Sequence, residues 1–271
     1  MDFNQLYLIT DEVERIQQTY EIFNENMRLR SQAARVEFLT SVRYIERYLR
    51  PGMRILDIGA GAGEYSLYFA QKGYSVNALE LSPRNIADFR SKLQPHHDIT
   101  LEQGNAIDLS RYADSSFDIV LLFGPLYHLH SDEDRQKCIA EATRVCAEGG
   151  MIFFAYISND MVILTELGYD EKYLLGTTYD HNTFKVEDFP FVFRTVDQCR
   201  DELDRAGLSI VHEIAADGLS ELMAERINGL DEESYAQYLR YHFYTCEKPE
   251  MLGHSNHLLF AAKKSSAKEE L

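Results

Sequence analysis

The chain has 271 residues, 45% of them hydrophobic and 26% charged, enough for one large α/β domain or for a domain with a small cap. Its formal net charge of −17 argues against a DNA or large-RNA substrate, which calls for a basic face, and against peripheral binding to anionic membranes. No run approaches the roughly 18 apolar residues of a membrane span, and Met1-Asp2-Phe3-Asn4 lacks the basic-then-apolar pattern of a signal peptide.

Cys138, Cys146, Cys199 and Cys246 form no C-x-x-C pair and no zinc-spaced cluster. The expectation is a cytoplasmic protein with reduced thiols and no metal, with Cys138 and Cys146 packed on one helix.

Residues 11–30 read as a polar helical stretch with Tyr20, Ile22 and Phe23 as apolar points. Residues 31–49 give a stronger helix, with Ala34, Phe38, Val42, Ile45 and Leu49 at helical spacing, stopped by Pro51-Gly52. Residues 53–58 form a short apolar run ending in glycines, the pattern of a buried parallel strand. A helix over 64–72 closes at Gly73, and a second strand follows over 74–79. Ser82-Pro83 opens the next helix, since Ser caps free N–H groups and Pro suits the first helical position. Strands follow over 99–103 and 117–123. Ser131-Asp132-Glu133-Asp134 caps a helix and sets acids at its positive end; that helix is expected to run to near Glu148-Gly149-Gly150. A fifth strand spans 151–157.

Residues 158–194 interrupt the rhythm with Tyr169, Tyr173, Tyr179, His181, Phe184, Phe189, Phe191 and Phe193. They read as an insertion over the strand ends, either the small core of a cap or the wall of a binding pocket with Tyr179 and His181 as candidates. Thr195-x-x-Gln198 is a capping box whose helix closes at Gly207. A sixth strand over 208–214, one or two helices over 219–246 and a last strand over 257–263 complete the chain, and residues 265–271 form a polar tail.

This alternation predicts a doubly wound, mostly parallel seven-stranded α/β sheet with helices on both faces. An N-terminal helical lid over 1–50 precedes the main domain of 51–264, and the cap insertion follows strand five. In such sheets ligands bind at the carboxyl ends of the strands.

Leu56-Asp57-Ile58-Gly59-Ala60-Gly61-Ala62-Gly63-Glu64 runs from a strand through alternating glycines into a helix. A dinucleotide loop wants G-x-G-x-x-G, but the third glycine position holds Glu64 in one register and Ser66 in the other. Glu80 ends the second strand 17 residues beyond Gly63, where a carboxylate accepts hydrogen bonds from ribose hydroxyls and repels a 2′-phosphate. An NAD-dependent oxidoreductase is therefore a weaker reading and an NADP enzyme weaker still.

Over about residues 53–157 the sequence resembles the Rossmann-like (class I) S-adenosylmethionine-dependent methyltransferases. Asp57-x-Gly59-x-Gly61-x-Gly63 stands where that family carries its D-x-G-x-G-x-G loop. The resemblance implies that Asp57, Gly59, Ala60 and Gly61 meet the methionine part and ribose, with Glu80 on the ribose and Leu81 flanking the adenine. Gly104-Asn105-Ala106 stands where the family usually has an Asp at the place of Asn105; Asp108 is a second candidate for that acidic role. The run from Phe117 through Phe123 to Gly124-Pro125-Leu126-Tyr127-His128-Leu129 is similar to the fourth strand of the small-molecule branch, with Phe123 at the cofactor. His128, and next Tyr127, are the candidates for a base acting on an O–H or N–H acceptor. Because the segment before the first core helix can fold over the cofactor in related enzymes, Arg28 is a candidate partner of the methionine carboxylate, with Tyr20 beside it; an exposed arginine is equally open.

The implied activity is methyl transfer from S-adenosylmethionine to a small-molecule acceptor, giving S-adenosylhomocysteine. A non-catalytic S-adenosylmethionine-binding protein is the alternative, and a nucleic-acid methyltransferase would need a local basic groove.

Overall fold

A computed structural model describes residues 3–264; the readings on Met1-Asp2 and on the polar tail from 265 lie outside it. The central sheet is built from β1 (Arg54–Ile58), β2 (Ser75–Glu80), β3 (Ile99–Gln103), β4 (Phe117–Leu122), β5 (Cys146–Ser158), β6 (Phe193–Arg194), β7 (Leu208–Ala215) and β8 (His257–Lys264). Seven of these follow the order β3-β2-β1-β4-β5-β8-β7, and the two-residue β6 pairs with β5 off that path. Strands β1 to β6 pair with one another in parallel, whereas β8 runs antiparallel to both β5 and β7. The mostly parallel sheet read from the sequence is thus present, with β6 as an additional short member.

The helices begin where capping chemistry puts them. Ser31, Ser82, Ser131 and Thr195 each accept the backbone N–H three residues on, opening α4 (Gln32–Glu46), α6 (Pro83–Lys92), α7 (Asp132–Val145) and α9 (Val196–Arg205). Thr195 and Gln198 form the full reciprocal box. Asp132 does more than meet a helix dipole, since its carboxylate also pairs with Arg135, Arg194 and Arg205.

Two boundaries differ from the sequence reading. α7 stops at Val145, because Cys146 is already extended and pairs with Phe117 across the sheet. Cys146 is therefore the first residue of β5, while Cys138 remains on α7, both buried. The insertion is not irregular throughout: Ser158 caps α8 (Asn159–Tyr169), which buries Met161, Val162 and Thr165.

The core is the sheet itself, with β4 apolar on both faces and Phe153, Phe154 and Phe260 fully buried beside it. α5 (Glu64–Gln71) lays Tyr65, Phe69 and Ala70 on one face. Over the carboxyl ends of the strands lie α1 (Phe3–Leu6), α2 (Glu12–Ile22) and α3 (Glu25–Arg28). Gln17 reaches the Leu81 carbonyl at 3.4 Å, and Glu21 pairs with Arg84 at 3.3 Å. α10 (Ala224–Asn228) and α11 (Glu232–Thr245) pack against α4, where Thr40 meets His242 at 2.9 Å, and α12 (Pro249–Leu252) lies against β7.

Gly63 is the tightest local constraint. Its φ is +87°, and a Cβ there would sit 2.4 Å from the ring of Phe89 on α6. Gly63→Ala combines left-handed strain of about 1–2 kcal/mol with overpacking of about 1–3 kcal/mol. Urea unfolding should show a loss of about 2–5 kcal/mol, and a midpoint equal to that of the parent chain would contradict this packing.

Candidate functional site

The loop after β1 is stitched to the end of β2. Gly59 N and Ala60 N donate to the Leu79 carbonyl at 2.8 and 3.1 Å. Gly61 N donates to Glu80 Oε2 at 2.7 Å, and Ser82 N donates to Glu80 Oε1 at 2.7 Å, with Asn85 Nδ2 at 3.4 Å. Glu80 is buried; burial raises its pKa and the three donors only partly offset that rise. Gly59 cannot be replaced without strain, since its φ is +75° and a Cβ would lie 2.7 Å from Pro125 Cδ.

Asp57 is buried under this loop. Its Oδ2 accepts Ser66 Oγ at 2.6 Å, whereas Oδ1 has no hydrogen-bond partner. Burial, moderated by Ser66, raises its pKa to about 6. A buried carboxylate oxygen without a donor invites one from a ligand or a shifted loop amide.

A cleft of about 40 Å³ lies against the loop. Gly59, Glu80, Leu81, Asn105, Ala106 and His128 line it, as do Gly124, Pro125 and Leu129, and Ile16 and Tyr20 of α2 close it. Asn105 uses its Oδ1 to accept Ile107 N at 3.2 Å, forming the turn below the cleft. Asp108 lies exposed outside it, accepting Ser110 N. Phe123 also lies outside, its ring edge-on to Tyr65 at 4.8 Å. Glu25 of α3 packs over Gly61, its Cγ 3.2 Å from where a Cβ would be.

The N-terminal helices are latched to the turn after β4. His130 N donates to Glu12 Oε1 at 2.8 Å, Arg15 reaches His130 Nδ1 at 3.1 Å, and Tyr20 Oη meets His128 Nε2 at 2.8 Å. His128 is buried, and burial pushes its pKa down to about 3, so its ring is neutral and weakly basic. Burial raises the pKa of the Tyr127 phenol. In this arrangement the Nε2 of His128 is taken up by Tyr20 Oη.

A second cavity, of about 640 Å³, adjoins the cleft, and Tyr20 is a wall of both. Its apolar walls include Phe23, Tyr127, Ile157, Tyr169, Phe189, Phe191 and Phe193. Arg28 belongs to this cavity, where Nε meets Glu25 at 2.9 Å and Nη1 meets Glu37 at 2.6 Å. Tyr179 and His181 do not line it. Tyr179 Oη donates to the Leu174 carbonyl at 2.8 Å inside the small core of the insertion, and His181 Nε2 bonds the Gly176 carbonyl at 2.8 Å.

The residues that sequence reasoning missed here are Asp217, Glu221, Asn256 and His257. Asp217 follows β7 and His257 begins β8. An antiparallel strand starts where its parallel neighbour ends, so the signal was the strand-end rule applied to a reversed strand. His257 Nδ1 lies 2.7 Å from Asp217 Oδ2 and 3.7 Å from Glu37. Asp217, Glu221 and His257 bring potential metal-ligand atoms within 4.8 Å of one another, but Asp217 already accepts Ser255 Oγ at 2.6 Å and His257 N at 3.1 Å.

Residues 56–154 match a family described as a methyltransferase domain. A stretch of 110 residues is 34% identical to the demethylmenaquinone methyltransferase of Renibacterium salmoninarum, covering 40% of this chain and 43% of that protein. A stretch of 110 residues is 31% identical to the 27-O-demethylrifamycin SV methyltransferase of Amycolatopsis mediterranei, 38% of each. The match thus spans less than half the length of these relatives. A solved SAM-dependent methyltransferase structure from Methanosarcina mazei shares the fold, with a TM-score of 0.55 at 20% identity over 83% of this chain and 98% of that one. No helix of the described residues is long and apolar enough to cross a membrane.

The His257 pair gives stability a pH dependence of definite sign. Burial alone would lower the imidazole pKa, but Glu37 and Asp217 outweigh it and raise it from 6.5 to about 9. Between those values the folded chain holds a proton that the unfolded chain has released. The contribution is full below pH 6.5 and is lost as the pH rises to about 9. In His257→Gln the decline of melting temperature over that interval should flatten; an unchanged slope would show that this pair is not what sets it.

Proposed function

We propose that the chain, whose residues 56–154 match a methyltransferase domain, is a Rossmann-like methyltransferase that transfers the methyl group of S-adenosylmethionine to a small-molecule acceptor and releases S-adenosylhomocysteine. The observation that carries this reading is the pair of adjoining cavities sharing Tyr20. One lies between the glycine loop and a buried carboxylate, and the other is walled by aromatic rings. When bound, S-adenosylmethionine would supply an activated methyl group on its sulfonium: the acceptor's lone pair would bond to the methyl carbon in line as sulfur leaves with the C–S electron pair, and any proton on the attacking atom would pass to solvent once the site reopens.

Glu80 accepts from the ribose hydroxyls. Each of its oxygens already takes a backbone N–H yet retains lone-pair capacity. Leu81, Asn105 and Ala106 form the adenine wall, and the loop with Asp57 receives the methionine end. A cleft of about 40 Å³ holds only a few waters, so α2 and α3 swing outward to admit the cofactor and close again as a lid. Closure excludes water, and the aromatic walls hold the acceptor in line; positioning of this kind contributes several kcal/mol. His128 serves as the latch for Tyr20 and not as a base, and Arg28 braces the larger cavity. The reading puts the chain in the cytoplasm, in keeping with its four free, buried cysteines.

Calorimetric titration with S-adenosylhomocysteine, with NAD as control, tests the cofactor. Micromolar binding of the former alone is expected, and binding of NAD in preference overturns the reading. Glu80→Gln replaces a charged acceptor of two ribose hydrogen bonds, each worth roughly 1.5–3 kcal/mol. Its affinity for S-adenosylhomocysteine should fall about tenfold or more; full affinity would put the ribose elsewhere.

A further inference from the structure

The larger cavity is lined by five carboxylates, Glu25, Glu37, Glu166, Asp217 and Glu221, against two cationic side chains, Arg28 and His257. The cations are already engaged, Arg28 by Glu25 and Glu37 and His257 by Asp217. That leaves Glu166, on α8, and Glu221, in the turn after β7. Both line this cavity, and what burial Glu166 has, with the charge of Glu221, raises its pKa. Among the described residues Glu166 has no side-chain hydrogen bond or ion pair, and Glu221 has only the amide Nδ2 of Asn256.

That amide supplies a second, independent observation. Asn256 is 6% exposed and is a wall of the cavity, and its Oδ1 is buried with no donor. The bond from Nδ2 to Glu221 fixes which way the amide points, because turning it would set oxygen against carboxylate. Two carboxylates and one orphaned amide oxygen therefore share the wall of a cavity that is also lined by the rings of Tyr169, Phe189, Phe191 and Phe193. Leaving the buried amide oxygen unmatched is costly. An anionic or purely apolar guest would leave it so and would set no positive charge against the exposed Glu166 and half-buried Glu221. A protonated amine brings one positive charge and three N–H donors, and its apolar body suits Phe191, Phe193 and Tyr169.

We propose that the methyl acceptor is an amine with an apolar or aromatic body, whose ammonium is held by Glu166, Glu221 and Asn256. This rests on the methyltransferase reading for the word acceptor, but the cation site stands on the cavity alone. Held there, the molecule extends past the aromatic walls toward Tyr20 and Tyr127, the boundary with the cofactor cleft, so the methylated atom is at the end away from the ammonium.

The test compares two probes of one phenolic body and opposite charge, tyramine and 4-hydroxyphenylacetate, by calorimetry on the full chain with and without S-adenosylhomocysteine. Tyramine should bind at least tenfold more tightly, and its affinity should fall as NaCl is raised. The double variant Glu166→Gln, Glu221→Gln should lose tenfold or more of that affinity while keeping its melting temperature and its affinity for S-adenosylhomocysteine. Equal binding of the two probes, binding of neither, or an unaffected double variant overturns the assignment. So does displacement of tyramine by MgCl2 at matched ionic strength, which would make the cluster a metal site. A chain that binds S-adenosylhomocysteine but not tyramine refutes the amine site alone. One that selects tyramine but ignores S-adenosylhomocysteine refutes the methyltransferase reading and leaves an amine-binding cavity.

Discussion

The structure turns on the buried carboxylate of Glu80. Burying a charge costs several kcal/mol unless donors surround it, and here the donors are backbone N–H groups of two different connections, at Gly61 and Ser82. Satisfying Glu80 therefore sets the path of the loop after β1 and the start of α6 together. The loop can follow that path only with positive φ at Gly59, Gly61 and Gly63. Gly63 in turn makes room for Phe89, which locks α6 against α5. One side chain at a strand end thus organises the floor of the cleft.

The roof is organised by charge. From Glu25 the ion pairs run through Arg28 and Glu37 to His257 and Asp217, joining the N-terminal helices to the last strand of the sheet. Removing one member of such a chain leaves another half-buried charge uncompensated, so these contacts specify where the roof sits more than they stabilise it. On the other flank it is held by Tyr20 on His128 and by Glu12 and Arg15 on His130.

What was legible in the sequence was what is local in the chain. The glycine loop, Glu80 and the Ser82-Pro83 cap lie within 27 residues of one another, and their residue types admit few conformations. Strand identities followed for the same reason, since β1 and β4 are short apolar runs bounded by turn residues. The larger cavity was not legible, because its walls are brought together by long-range pairing. Asp217 and His257 are 40 residues apart and meet only because β8 runs antiparallel beside β7 and β5. The insertion misled in another way. Aromatic content alone does not say which rings face a cavity: Tyr179, Phe191 and Phe193 share one small apolar cluster, yet of these Phe191 and Phe193 also line the cavity, Phe193 held there by its pairing with the end of β5.

The shared wall has a mechanical consequence. Tyr20 belongs to α2, touches His128 at the cleft and also faces the larger cavity. Three residues after α2, Glu25 covers Gly61 and braces Arg28, which lines that cavity. A displacement of α2 and α3 that widens the cleft therefore moves a wall of the larger cavity as well. The two compartments do not open independently. In a reaction that joins a molecule from each, such coupling lets one closing motion assemble both partners and exclude water at once. Because α2 and α3 are held by a few hydrogen bonds and ion pairs, such a displacement would leave the sheet undisturbed.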